Sequence, residues 1–370
     1  MSFRKLGIAK EFVKALEELD INTPTEIQEQ SIPFLLSKGT DFIGQAQTGT
    51  GKTAAFGLPL LHQVDPTNRN VQALILCPTR ELGQQIAKQL FRFTKYSAKI
   101  FTEAVYGGEK IDRQIEALKR PTQIVVATPG RLIDLVRQKA INLSEVNTVV
   151  LDEADEMLSM GFKKELDTIL NYTGDNKNTW LFSATMPDGI KRIIHKYMSP
   201  DATRIQVNRN KVMNSDITHQ YAIVDKADKL QALIYFLQSQ NDNRGIIFCK
   251  TKASTQTLSK QLISRKFSCD AIHGDLSQKE RDKVMRAFKN NKLQTLVATD
   301  ISARGIDVQN LAFVVHFELP DQLEYFTHRS GRTARAGKRG LSLTIITNQE
   351  ERRIKEIGRE LAISFKRVVS

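Results

Sequence analysis

Cysteine is scarce, with three in 370 residues. Cys77 and Cys249 sit in apolar runs and Cys269 lies beside another, at spacings that fit no metal site. Free buried thiols in a reducing compartment are expected, not a disulfide framework. Aromatic residues are only 7%, so base stacking is excluded as the main way of holding nucleic acid. No apolar run reaches the roughly 18 residues of a membrane span. The opening "MSFRKLGIAKEF" lacks the apolar centre of a signal peptide. The expected setting is the cytoplasm, with no membrane partner. Charge is plentiful but uneven. Residues 208–370 carry 28 Lys+Arg against 17 Asp+Glu, whereas residues 1–207 carry 26 against 24. A basic half suits a polyanionic partner, most often nucleic acid, although solubility alone also accounts for an excess of this size.

The length suggests two domains, and the pattern agrees. Short β-branched runs alternate with amphipathic stretches: "ALILCP" (73–78), "QIVVATP" (123–129), "TVVLDEAD" (148–155) and "TWLFSAT" (179–185), then "GIIFCK" (245–250), "TLVATD" (295–300), "AFVVHFEL" (312–319) and "LTIIT" (343–347). Continuous apolar strands between helical patterns predict mostly parallel sheets covered by helices on both faces. A polar stretch, "QVNRNKVMNSD" (206–216), interrupts this rhythm. The expected division is 1–207, a linker at 208–216, and 217–370. Ligands of such sheets bind beyond the carboxyl ends of the strands, where the unusual sequences lie.

One of them is "TVVLDEADEML" (148–158), in which a buried strand runs into closely spaced acids. Burying carboxylates is costly unless something binds them. A solvated helix start is the plainer reading of the stretch alone. "AQTGTGKT" (46–53) alters the balance. It departs from the G-x-x-x-x-G-K-[ST] phosphate loop only in having Ala46 for the first glycine. Gly49 and Gly51 allow the tight turn that aims N–H groups at phosphates. Lys52 supplies charge to the β- and γ-phosphates, and the Thr53 hydroxyl and Asp152 carboxylate suit Mg²⁺. Glu153 is placed to polarise an attacking water. Together the two stretches indicate an NTPase that works on a Mg²⁺-bound nucleotide; the family resemblance below implies ATP.

"AQTGTGKT", "PTREL" (78–82), "TPGR" (128–131), "DEAD" (152–155), "SAT" (183–185), "ARGID" (303–307) and "HRSGRTARAG" (328–337), with "NTPTEIQ" (22–28) and "YGG" (106–108), resemble the ordered motifs of the DEAD-box ATP-dependent RNA helicases, here a bacterial member. The resemblance spans roughly residues 3 to 340 and implies two tandem RecA-like α/β domains. It implies that Gln28 and Phe3 contact adenine, and a side-chain amide can both donate to and accept from that base. Asp20-Ile21 stands where the family usually has Gly-Phe, which weakens one packing contact. Thr48, Gly49, Thr50, Gly51, Lys52 and Thr53 would hold the phosphates, and Asp307 the ribose. Ser183 and Thr185 would link the nucleotide site to domain closure. Arg332 and Arg335, expected on neighbouring turns of a helix, would be arginine fingers delivered by the second domain, with His328 contacting the acids. RNA contacts implied by the family are Thr79, Arg80, Gly108, Thr128, Arg131, Arg281 and Thr299. Such groups meet the RNA backbone and carry little sequence information.

The expected activity is ATP hydrolysis coupled to local unwinding or remodelling of RNA duplexes and RNA–protein complexes by a monomer. Single-stranded and duplex RNA would be bound without sequence preference. An ATP-gated RNA clamp with little unwinding is the alternative. The presence of Lys52, Glu153 and both arginines argues against a catalytically dead RNA-binding protein. A DNA translocase is disfavoured only by the resemblance. Beyond residue 340 the segment "ERRIKEIGRELAISFKRVVS" (351–370) reads as a mixed-charge helix.

Overall fold

In the computed structural model the described residues are 1–37, 40–47, 49–174, 176–207, 216–303, 311–334 and 339–368. The expected linker therefore lies almost wholly outside them. The chain forms two compact units, Met1–Val207 and Asn208–Ser370.

The first unit is a sheet of β1 (Phe42–Gln45), β2 (Ala73–Leu76), β3 (Thr102–Val105), β4 (Ile124–Ala127), β5 (Thr148–Asp152), β6 (Asn178–Ser183) and β7 (Thr203–Gln206). Their order is β3-β4-β2-β5-β6-β1-β7, all parallel. The second unit contains β8 (Ile217–Ile223), β9 (Gly245–Cys249), β10 (Cys269–Ile272), β11 (Thr295–Thr299), β12 (Phe313–His316), β13 (Gly340–Ile346) and β14 (Phe365–Arg367). Its order, β10-β11-β9-β12-β13-β8-β14, is again all parallel and repeats the first sheet position for position.

The central strands explain their own sequences. Every residue of β2, β4 and β5 is buried, because helices cover both faces. One face of the first sheet packs Phe42, Phe56 and Phe182, whose ring centroids lie 5.3–5.4 Å apart in successive pairs. Each such ring pair adds about 0.5–1.5 kcal/mol beyond area burial. The three cysteines are free and buried, as expected. Among the described residues no helix is long and apolar enough to cross a membrane.

Two expectations are corrected. The C-terminal segment is not helical throughout: its helix ends at Glu360, and Phe365–Arg367 adds a parallel edge strand beside β8. The helix Leu323–Ser330 stops before Gly331, so Arg332 lies in a turn. The Arg332 N–H donates back to the Arg329 carbonyl at 3.1 Å.

Candidate functional site

The glycine-rich loop joins β1 to the helix Lys52–Gln63. Gly49 and Gly51 take φ values of 83° and 86°, in the left-handed region that glycine enters without steric cost. Gly51 caps the helix, so the loop's N–H groups and the positive end of the helix dipole share one place, a natural seat for an anion. Lys52 is 7% exposed and its Nζ donates to the Ala46 carbonyl at 3.2 Å, across the base of the loop. Thr53 follows on the helix, half-buried. Thr48 lies outside the described residues.

A second segment braces this loop. Gln28, on the helix Glu26–Ser37, is 3% exposed. Its Nε2 donates to the Gly51 carbonyl and its Oε1 accepts from the Thr25 N–H, both at 2.9 Å. The Thr25 hydroxyl donates to the Thr50 carbonyl at 2.7 Å. Gln28 is thus a strut of the phosphate loop, with one amide hydrogen and one lone pair left for a base. Phe3 is 2% exposed within the hydrophobic core.

At the carboxyl end of β5 the acids are not solvated. Asp152, Asp155 and Glu156 are 3%, 6% and 3% exposed, which removes the plain helix-start reading. Burial pushes the Asp152 carboxyl up to about 7 against the nearby Lys52 charge, and Glu153 and Asp155 add to the rise. Glu153 has φ 51°, a left-handed conformation uncommon for a residue with a side chain and frequent at functional sites. The Asp152 and Thr53 donors are oxygens, the set a hard cation such as Mg²⁺ takes, and a buried carboxylate of raised pKa gains from a cation.

The third element is the end of β6. Asp155 Oδ2 accepts from both the Thr185 N–H and the Thr185 hydroxyl, each at 2.8 Å. The Asp155 N–H donates to Ser183 Oγ at 3.2 Å, and that hydroxyl donates to the Thr185 carbonyl at 2.8 Å. The two hydroxyls thus clamp the acid stretch to its neighbouring strand. Charge-assisted bonds of this kind are worth about 1.5–3 kcal/mol each.

The candidate RNA contacts of this unit lie on the turns after β2, β3 and β4. Thr79 caps the helix Arg80–Phe93, its hydroxyl accepting from the Leu82 N–H. Thr128 stands at the N-cap of the helix Pro129–Arg137. Arg131 donates to Gln114 Oε1 at 2.8 Å and to the Glu109 carbonyl at 2.9 Å. Arg80 lies over the Tyr106 ring at 4.6 Å and within 4.0 Å of Glu109. Gly108 sits exposed on the same turn as Tyr106 and Glu109.

In the second unit Ser302 is a hub. Its hydroxyl donates to the Ile272 carbonyl, lies 2.9 Å from Thr299 Oγ1 and accepts from the Thr299 N–H, while its carbonyl accepts from Arg281 at 2.6 Å. His328 is half-buried on the helix Leu323–Ser330. Arg329, 1% exposed, forms a two-pronged pair with Asp300 at 2.6 and 2.8 Å and donates to the Glu318 carbonyl at 2.7 Å. Lys229 opens the helix after β8, the strand placed as β1 is in the first sheet, but its Nζ is held by Glu350 at 3.1 Å. Arg335 and Asp307 lie outside the described residues.

Residues 25–193 match the DEAD/DEAH box helicase family, and residues 226–337 the helicase conserved C-terminal domain. The chain is 44% identical over 359 residues to the ATP-dependent RNA helicase CshA of Limosilactobacillus reuteri, covering 96% of this chain and 71% of that one. The chain belongs to the DEAD-box ATP-dependent RNA helicases. The DEAD-box helicase CshA of Bacillus cereus is 42% identical, over 97% of this chain and 68% of its own length. Among solved structures, S. cerevisiae Dbp5 bound to RNA and ADP BeF3 is similar with a TM-score of 0.91 at 31% identity, over 100% of this chain and 95% of that one. Mss116p bound to ssRNA and AMP-PNP is similar with a TM-score of 0.89 at 30% identity, covering 100% and 80%. Both domains of this DEAD-box helicase are RecA-like. Sequence reasoning on the helicase missed Asp155 as the partner of Thr185, and Glu109, Gln114 and Ser302 as organisers of the candidate RNA-binding arginines. Asp155 stood in the quoted acid stretch, but its partner did not show there, and nothing in the local sequence marks the other three, since each acts through a neighbour distant along the chain.

Proposed function

We propose that this chain is an ATP-dependent RNA helicase that locally separates RNA duplexes and remodels RNA–protein complexes, acting as a monomer. Residues 1–207 form the ATP-binding domain and residues 217–370 the domain carrying the arginine fingers. The loop at 46–53 with Lys52 binds the triphosphate, and Gln28 fixes the loop while reading adenine. Thr53 and Asp152 hold Mg²⁺, which when bound neutralises charge on the phosphates. Glu153 orients the attacking water. Asp155, Ser183 and Thr185 tie the nucleotide site to the rest of the domain, and His328, Arg332 and Arg335 complete it when ATP and RNA close the two domains together. Thr79, Arg80, Gly108, Thr128, Arg131, Arg281 and Thr299 take the RNA backbone.

The observation that carries this reading is the buried Asp152 beside Lys52, next to an acid stretch clamped by Thr185. The test is ATP hydrolysis and strand displacement with two unrelated RNAs and their DNA copies. RNA should stimulate hydrolysis with little dependence on sequence, and DNA much less, because only RNA offers a 2′-OH. Equal stimulation by RNA and DNA would refute the reading.

A further inference from the structure

The helix Gln278–Lys289 carries Arg281 on one side. Lys279, Lys283 and Arg286, spaced i, i+4 and i+7, occupy the side roughly opposite, since 3.6 residues make about one turn. All three are exposed, as is Lys292 just past the helix end. Together with Asp282, Ala287 and Asn290 they line a groove of about 520 Å³, four cations against one acid.

These cations differ from those of the last helix in forming no ion pair among the described residues. On the helix Glu351–Glu360, Arg352 and Arg353 pair with Glu356 at 3.2 and 3.4 Å, and Lys355 with Glu351 at 3.0 Å. On Gln278–Lys289 the acids make hydrogen bonds to neighbours on the same helix or its cap, although Asp282 also lines the groove. Glu280 closes a capping box with Ser277, accepting at 2.6 and 2.8 Å, and Asp282 accepts from Gln278 at 2.8 Å. Among the described residues no ion pair joins Lys279, Lys283, Arg286 or Lys292 to an acid. Like charges at i,i+4 cost about 0.2–0.5 kcal/mol per pair. Arg286 near the helix end gains from the dipole, but Lys279 in the first turn opposes it. The face therefore keeps an excess of positive charge, four cations against Asp282, that an anion would offset.

We infer that this face is an accessory RNA-binding surface that takes the phosphates of duplex flanking the strand held at Arg281. The inference rests on the helicase reading above. Three features favour RNA. The face is basic with no aromatic side chain among its groove-lining residues, which suits phosphates rather than bases. Lys279 and Arg286 are separated by about 10 Å along the axis, enough to meet more than one phosphate. Arg281 shares the same helix, about 10–12 Å thick, so an RNA leaving that residue has only the width of one helix to pass.

The experiment compares a short single-stranded RNA with the same strand joined to a hairpin, by salt titration of affinity in the presence of AMP-PNP. The variant is Lys279→Gln, Lys283→Gln and Arg286→Gln combined. It should bind the short strand as the unmodified protein does. On the hairpin-bearing strand the slope of log K against log salt should become shallower by about 2.7, three contacts at about 0.9 each on duplex. The charge-conserving variant Lys279→Arg, Lys283→Arg, Arg286→Lys should keep the full slope, and thermal melting checks that all three proteins are folded. An unchanged slope on the hairpin-bearing strand overturns the inference, and so does an equal loss on the short strand. If the unmodified protein fails to bind either RNA, the helicase reading itself falls, an outcome distinct from these.

Discussion

Gly51→Ala is the sharpest probe of the phosphate loop. A Cβ at this position would sit 2.3 Å from Gln28 Nε2, so the amide must leave. Two hydrogen bonds of 2.9 Å go with it, to the Gly51 carbonyl and from the Thr25 N–H. At about 1 kcal/mol each they account for about 2 kcal/mol. The φ of 86° adds about 1–2 kcal/mol of left-handed strain for a residue with a side chain. If the whole 3–4 kcal/mol falls on the binding-competent loop, ATP affinity drops by roughly 10²–10³-fold. The assay is equilibrium binding of a fluorescent ATP analogue, with thermal melting to confirm folding. A double-mutant cycle isolates the clash. In a Gln28→Ala background Gly51→Ala should cost only the strain, so the coupling should be about 2 kcal/mol. Additivity within about 0.5 kcal/mol, or near-normal affinity in the single variant, would refute the argument.

Glu153→Gln should keep ATP and RNA binding but lose turnover; single-turnover hydrolysis near the unmodified rate would remove Glu153 from its assigned role. Arg332→Ala or Arg335→Ala should lower RNA-stimulated turnover by roughly 10³-fold with ATP affinity little changed, which steady-state kinetics will show. Buried His219 has its pKa lowered to about 4 by desolvation, and among the described residues neither ring nitrogen finds a hydrogen-bond partner. The unfolded chain, titrating near about 6.5, binds the proton first, so stability is full above about pH 6.5 and falls toward pH 4 by up to about 1.4 kcal/mol per unit. His219→Phe, packed against Phe326 and Phe365, should flatten that fall in urea titrations at several pH values, and an unaltered pH profile would count against it. Asp20, at φ 57°, strains a position that favours glycine. Asp20→Gly should raise the urea midpoint by the equivalent of about 1 kcal/mol, and no rise would show the strain to be relieved already.

The alternation of apolar runs and amphipathic stretches made the sheet class legible, because fully buried parallel strands need continuous hydrophobic sequence. β1, β7 and β14 were not legible. "FIGQ" has only two apolar residues before Gly44, and "TRIQ" and "FKR" are edge strands with solvent-facing positions. The phosphate loop and the acid stretch stand out because their chemistry is local. The role of Gln28 as a strut is invisible in sequence, since it depends on a carbonyl 23 residues away. Arg329 reads as one of a row of arginines. Only the fold shows that Asp300 and Glu318 take its guanidinium and leave Arg332 to the turn beyond.

A duplicated scaffold offers two equivalent places for a triphosphate, one beyond β1 and one beyond β8. In the second, the turn at 225–228 reads Asp-Lys-Ala-Asp, with no glycine to form a cradle. The lysine that opens its helix is tied down by Glu350 and lies 3.5 Å from the Phe317 carbonyl. The duplication thus repeats the strand order but not the chemistry: the glycine-rich cradle follows β1 and has no counterpart after β8.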